Sequence, residues 1–276
     1  MLALVLGLAA SLAWGLADFL GGFQAKRLPA LVVVAFGQLA SLAVLAVVLA
    51  ASGRGIPEEV LLPAALAGIG LSIGLAAFYR ALAVGKMGVV APITATGTVI
   101  PVLVGIASGD RLGALQIAGL ALAVVGVTLS VRSSESGGGR AGIGAAVVAA
   151  IGLGSSLVFI ERASDHGVLP TLLVARCAGL ATLAVALAVT RTVPRVGRDR
   201  LAAVLGIGVL DMAATGLYAL ASTQGQLSVA AVSAALYPAV TVVLARFALH
   251  EHLARAQVLG LGAILLGVCL LAGASA

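Results

Sequence analysis

Apolar residues run through this chain in long blocks, cut by short polar breaks and by single prolines and glycines. A helix crosses the hydrocarbon of a membrane in about 20 residues. Read at that length, the breaks predict ten helical segments, at about 2–23, 30–51, 60–82, 88–108, 113–131, 142–161, 168–190, 201–222, 227–248 and 254–274. Most connections are short, so consecutive segments are expected to be antiparallel neighbours. One stretch, Ser133–Gly139 (Ser-Ser-Glu-Ser-Gly-Gly-Gly), has a composition that cannot pack and reads as a flexible linker.

The pattern also repeats. Pro92 to Gly126 and Ser233 to Gly267 each read as two apolar stretches joined by a very short charged turn. Shifted by about 141 residues, Leu112, Gln116, Gly119, Leu120, Gly126, Val127 and Leu129 fall on Leu253, Gln257, Gly260, Leu261, Gly267, Val268 and Leu270. The same shift brings Leu28-Pro29 onto Leu169-Pro170. Around the third segment it drifts to about 138, where Gly68-Ile69-Gly70 matches Gly206-Ile207-Gly208. The first and sixth segments agree only weakly. The expected organisation is a repeat at 1–131, a linker at 132–141 and a second repeat at 142–276. A unit of five spans, copied once, must sit upside down the second time. The predicted fold is therefore all-α and membrane-spanning, ten helices in two inverted five-helix repeats, a plan of secondary transporters with the solute site between halves.

Composition agrees with that class. Of 276 residues 62% are hydrophobic and 9% charged, against about a quarter charged in soluble domains, and the mean hydropathy is +1.21. The net charge of +6 does not imply nucleic acid, because the basic residues are scattered singly and form no patch. The first block lacks a basic leader and is long enough to span, so it reads as a helix and not a signal peptide. Cys177 and Cys269 both lie inside apolar runs, which argues against a disulfide.

The chain resembles the drug/metabolite transporter superfamily, and within it the ten-helix proteins with two EamA domains. The residues that carry the resemblance are Trp14-Gly15, Ala81-Leu82, Pro92, the Gly109-Asp110-Arg111-Leu112 turn, Gly119 and Gly126. In the second copy they are Tyr218-Ala219-Leu220, Tyr237-Pro238, His250-Glu251-His252-Leu253, Gly260 and Gly267. Asp110 departs from the Glu usual in the family. The resemblance covers essentially the whole chain and implies a multi-pass protein of the plasma or inner membrane that moves a small molecule, with no cofactor. The partners expected are a small-molecule solute and the lipid bilayer, and the chain acts as a monomer or homodimer. Sidedness divides the indications. Alternate loops carry about twelve Lys and Arg against about three, which puts both termini outside by the positive-inside rule; the resemblance implies both inside.

An ionisable side chain at the centre of a spanning helix costs about 2.5–3.5 kcal/mol on insertion scales. Asp18, Arg176 and Asp211 are the candidates, whereas Arg80 and Glu161 lie close to segment ends, where long side chains snorkel. Asp18 follows Trp14 by four residues, so ring and carboxylate share a face. Its repeat counterpart is Phe159, so the acid is not part of the duplicated scaffold. It reads either as a proton-coupling or solute-contact group or as a wet structural acid near the helix end. Carboxyl groups withdrawn from water can titrate near neutrality, which makes Asp18 and Asp211 the proton-coupling candidates; the small multidrug members of the superfamily use a helix-one carboxylate in this way. Arg176 and Asp211 lie at depths within about one turn, given a rise of about 1.5 Å per residue. They form either a structural ion pair or leave Asp211 facing a cavity to bind a cationic or amino group.

Trp14, Tyr79, Tyr218 and Tyr237 sit on segments that line the central cavity in the resembled family. The alternative is an interfacial aromatic belt, which suits Tyr79 and Tyr218 better. Thr94, Thr96, Thr98, Ser155, Ser156, Thr215 and Ser233 are candidate hydrogen-bonding groups, or packing hydroxyls between helices. The solute-site set is therefore Trp14, Asp18, Tyr79, Thr94, Ser155, Asp211, Thr215, Tyr218 and Tyr237. Gly70 and Gly74 read as a helix-contact face, and Pro92, Pro101 and Pro238 as breaks that let the fourth and ninth segments move. No metal site is expected: His250-Glu251-His252 lies in a turn without His-Glu-x-x-His spacing. His166, His250 and His252 lie in loops without a nucleophile–base partner, against a lipid-acting enzyme. No phosphate loop supports ATP drive. The leading expectation is a secondary transporter of a small organic metabolite or drug by alternating access, more an exporter than an importer. Flipping of a lipid-linked metabolite, or a non-transporting helper or receptor, are the alternatives.

Overall fold

In an apolar medium every backbone N–H and C=O must be satisfied within its own segment, which drives an apolar chain of this kind to helix. The computed structural model describes residues 2–109, 113–132, 142–224 and 236–249, with isolated positions between 230 and 234 and between 255 and 270. Every regular element among the described residues is a helix: α1 (Leu2–Ala25), α2 (Ala30–Ser52), α3 (Glu58–Val84), α4 (Met87–Ala95), a short 3₁₀ turn (Thr96–Thr98), α5 (Val99–Ala107), α6 (Ala114–Arg132), α7 (Ile143–Ser164), α8 (Val168–Val189), α9 (Arg198–Ser222) and α10 (Tyr237–Ala248). Seven helical runs are long and apolar enough to cross a membrane, counting Met87–Ala107 as one; Ile117–Gly126 and α10 are shorter apolar helices. The linker at 133–139, the turns at Asp110–Leu112 and His250–Leu253, Gln257, Cys269 and most of the predicted segment 254–274 lie outside the described residues.

The helix ends follow from local chemistry. α2 stops at Gly53, which takes the left-handed conformation (φ 64°) and returns its N–H to the Ala50 carbonyl. α3 opens with Glu58 and Glu59, two acids at the positive end of the helix dipole, and so begins before the predicted boundary. Between α7 and α8 the turn needs Gly167 at φ 134°, a conformation that side chains resist. The fourth predicted segment is one run with a break in its middle. Pro101 has no N–H to give the carbonyl four residues back, that of Gly97, and the chain tightens into the 3₁₀ turn there. Thr94, Thr96 and Thr98 donate their hydroxyls to carbonyls one turn earlier at 2.7–3.0 Å. Pro238 falls in the first turn of α10, where its missing N–H costs nothing. Arg80 and Arg246 both belong to helices.

Helices of the first half lie mainly against helices of the second: α3 along α7 and α8, α1 along α9 and α10, α2 along α8 and α9, and α4 along α7. Several crossings are closed by glycine. A Cβ on Gly68 would overlap the Ala175 backbone, and one on Gly208 would overlap the Gly37 carbonyl. Gly70 and Gly74 form the contact face expected of them; a Cβ on Gly70 would lie 3.0 Å from the Gly152 carbonyl of α7. At the break, a Cβ on Gly97 would run into the Ala150 carbonyl, and one on Gly154 into that of Gly97. The outer surface is as apolar as the core, with Leu39, Val47, Leu62, Val185, Val189 and Phe247 all exposed. A continuous apolar exterior of this kind suits lipid. Cys177 is exposed on it.

Candidate functional site

A cavity with about 530 Å³ of empty space opens at the centre of the bundle. Its walls come from both halves: Trp14 and Asp18 of α1, Leu71 and Leu75 of α3, Thr94, Gly97 and Thr98 around the break, Leu153, Gly154, Ser156, Leu157 and Ile160 of α7, Asp211 of α9 and Tyr237 of α10. The break in the fourth segment thus forms part of the wall. The lining mixes aliphatic side chains (Leu71, Leu75, Leu153, Leu157 and Ile160) with the polar groups of Asp18, Thr94, Thr98, Ser156 and Asp211.

The two acids differ in their surroundings. Arg176 of α8 donates from Nη2 to Asp211 Oδ2 at 2.8 Å, with side chains only 1% and 6% exposed. The same nitrogen lies 3.4 Å from Thr215 Oγ1, whose hydroxyl donates to the Asp211 carbonyl at 2.8 Å. Asp211 is therefore both an ion-pair partner and a wall residue, which joins the two alternatives that the sequence left open. Asp18 is also buried, at 6% exposed, and among the described residues no cation or hydrogen-bond donor pairs with it. Asp211 thus faces the cavity with its charge matched by Arg176, and Asp18 faces it with no such match among the described residues.

Aromatic rings form a chain beside it. Trp14 meets Tyr218 at 5.8 Å between ring centres and Tyr237 edge-on at 6.5 Å; Tyr237 meets Phe78 edge-on at 6.5 Å, and Phe78 meets Tyr79 at 6.1 Å. Such offset and edge-on pairs are the favoured arrangements of ring quadrupoles. The helices approach closely enough for this because Gly15 faces the Tyr237 carbonyl and Gly21 faces the Tyr79 ring. Thr241 adds a hydrogen bond of 3.1 Å to the Gly15 carbonyl, tying α10 to α1.

Of the residues singled out from sequence, Trp14, Asp18, Thr94, Thr98, Ser156, Asp211 and Tyr237 share this one cavity. Thr215 and Tyr218 are buried behind the wall, in contact with residues that form it. Tyr79 lies on a second, smaller cavity that shares Leu75 and Asp211 with the first. The interfacial-belt reading of Tyr79 and Tyr218 is overturned, since both are fully enclosed, at 1% and 0% exposed. Ser155 is half-buried, and it is Ser156 that reaches the wall. The aliphatic wall on α7 carries no sequence signal apart from its place in an apolar run. Gln38 did carry one, as the sole amide inside the apolar block 30–51. Among the described residues no group of His, Cys, Asp and Glu could hold a metal ion.

The family model described as "EamA-like transporter family" matches residues 1–132 and again 140–273. A solved crystal structure, described only as that of a protein, superposes with a TM-score of 0.73 over 97% of this chain and 94% of that one at 23% identity, which shows a shared fold. None of the curated proteins compared matches this chain. Two matched repeats, a bundle of membrane-length apolar helices and a central cavity together identify a multi-pass membrane transporter of the drug/metabolite type, and the chain belongs to the EamA-like transporter family.

Proposed function

We propose that the protein is a secondary transporter that moves a small organic solute bearing an amino or other cationic group, outward and in exchange for protons, by alternating access between two inverted five-helix repeats. The repeats span 1–131 and 142–276, joined by a linker at 132–141, with ten membrane spans in the plasma or inner membrane. The pairing of helices supports the inversion: α1 with α9 and α3 with α7 are the same contact, first segment of one copy on third of the other, met twice. Gly68 on Ala175 and Gly208 on Gly37 likewise repeat one crossing, third segment on second.

The observation that carries the reading is the Asp18 carboxyl group, unpaired among the described residues, sharing with Trp14 and Tyr237 a cavity wall built by both halves. A cation over an aromatic face gains about 0.5–2 kcal/mol, more as water is removed, and the carboxylate adds a charge-assisted hydrogen bond. The aliphatic walls take up the rest of the solute. Proton and cation then compete for one carboxylate, which couples their movements: solute leaves where a proton arrives. Solute affinity consequently falls as pH falls, because only the carboxylate form pairs with the cation.

Trp14 is the single tryptophan of the chain, so intrinsic fluorescence reports on this site alone. Titrating purified protein with amino acids, polyamines, nucleosides and lipophilic cations is expected to give saturable quenching by cationic members, lost in Asp18→Asn. Quenching equal in Asp18→Asn would remove the carboxylate from the site.

A further inference from the structure

The smaller cavity lies between α2, α3 and α9 and has room for about one water molecule. Gln38, Tyr79 and Asp211 are its polar wall residues, set among Val33, Val34 and Ile207. It meets the central cavity only at the two residues they share, Leu75 and Asp211. The solute route proposed above does not use it, and a purely apolar gap would have required none of these three polar groups.

The Gln38 amide is the informative group. It is 2% exposed, its Nε2 donates to Ser72 Oγ at 2.8 Å, and its Oε1 has no hydrogen-bond partner among the described residues. Turning the amide over exchanges the two atoms but leaves one of them unsatisfied all the same. An unpaired buried polar group costs about 1–3 kcal/mol, which natural interiors avoid by placing a water where polar groups converge. Gly179 lets α8 close on this amide: a Cβ there would overlap Ser72 Oγ and lie 2.5 Å from Gln38 Oε1. One helical turn before it, Arg176 Nη1 is likewise buried with no partner among the described residues, while Nη2 holds Asp211. Of these two buried atoms, one belongs to a wall residue of the cavity and the other to the ion-pair partner of Asp211, a second wall residue.

We propose that this cavity is a water site organised by Gln38, giving the Arg176–Asp211 pair a hydrated face on the side away from the solute. The ligand is water itself, held by the Gln38 amide with Tyr79 and Asp211 at the wall. It relieves the desolvation of a charge pair whose other face borders the solute cavity, and it keeps that relief when the solute displaces water from the central cavity. Tyr79, whose hydroxyl reaches the Ala17 carbonyl at 3.5 Å, links the same site to the helix that carries Asp18. Only the benefit of relief during solute passage rests on the transport reading; the water site itself does not.

Radiolytic hydroxyl-radical labelling of the full-length protein in nanodiscs, read by mass spectrometry, tests it without a solute. Bound water generates the radical in place, so buried side chains beside it are modified while dry ones are not. Phe78 and Tyr79 are adjacent in sequence and equally buried, at 0% and 1% exposed, but only Tyr79 lines this cavity. Tyr79 is expected to be labelled several-fold faster than Phe78, and Gln38→Leu to bring Tyr79 down to the Phe78 level while labelling of Trp14 in the central cavity stays unchanged. Equal rates at Phe78 and Tyr79 in the unmodified protein would show a dry cavity and overturn the proposal. So would Tyr79 labelling that persists undiminished in Gln38→Leu. The comparison within the unmodified chain stands even where the variant does not fold.

Discussion

Arg176 and Asp211 show how two charges persist inside an apolar bundle. Each alone would be an uncompensated charge at the centre of a membrane helix, and together they neutralise one another at 2.8 Å. Removing one partner of a buried pair costs about 3–5 kcal/mol, mostly through the charge left behind. Arg176→Gln and Asp211→Asn are each expected to lower the unfolding midpoint of purified protein sharply. The double variant should lose much less than the sum, because no charge is stranded; strictly additive losses would mean that the two do not act as a pair. Asp18 makes the opposite prediction. With no partner among the described residues to abandon, Asp18→Asn is expected to leave the unfolding midpoint near that of the unmodified protein but to abolish flux driven by a pH gradient. Gradient-driven flux retained in full by Asp18→Asn would exclude it from coupling. These roles were legible in the sequence to different degrees. The four-residue step from Trp14 to Asp18 gave a shared face, and the common depth of Arg176 and Asp211 on a helical hairpin gave the pair. What separated Ser156 from Ser155 was helix rotation, set by packing against α3 and the 3₁₀ break, which no spacing along an apolar run reveals.

At the scale of helices, crossings are set by where side chains are missing. α7 carries the contrast within one element: Gly154 faces the Gly97 backbone across the break, while Gly144 has open space beside it. Gly144→Val is expected to leave stability unchanged. Gly154→Val must push the broken segment away from the cavity wall, and overpacking of this sort costs about 1–3 kcal/mol, with solute binding at Trp14 weakened as well. Equal behaviour of the two variants would show that the crossing does not fix the wall. Apolar length and punctuation predicted the long helices to within a few residues, since insertion length dictates them. Ends governed by capping, such as the acidic start of α3, shifted. Prolines at 92 and 101 signalled an interruption without placing it; its position follows from the carbonyl of Gly97 that Pro101 cannot satisfy and from the close approach of Gly97 to α7.

For the whole molecule, the apolar exterior, the glycine-closed crossings and the polar centre form one arrangement. Burying backbone polar groups in helices allows the chain to meet lipid, while the charged groups Asp18, Arg176 and Asp211 are held in the interior and Arg80, Arg162 and Arg246 lie exposed. Among the described residues contacts run chiefly between halves, and the cavity is lined from both. A small rotation of one half against the other would therefore reshape every wall of the cavity at once. The most direct test of this account is solute counterflow in proteoliposomes containing the unmodified protein, preloaded with candidate solutes and assayed for uptake of the labelled form. The account predicts saturable exchange of at least one amine-bearing or cationic solute, reduced at low pH and lost in Asp18→Asn. Absence of saturable exchange for every amino acid, polyamine, nucleoside and lipophilic cation offered would contradict it.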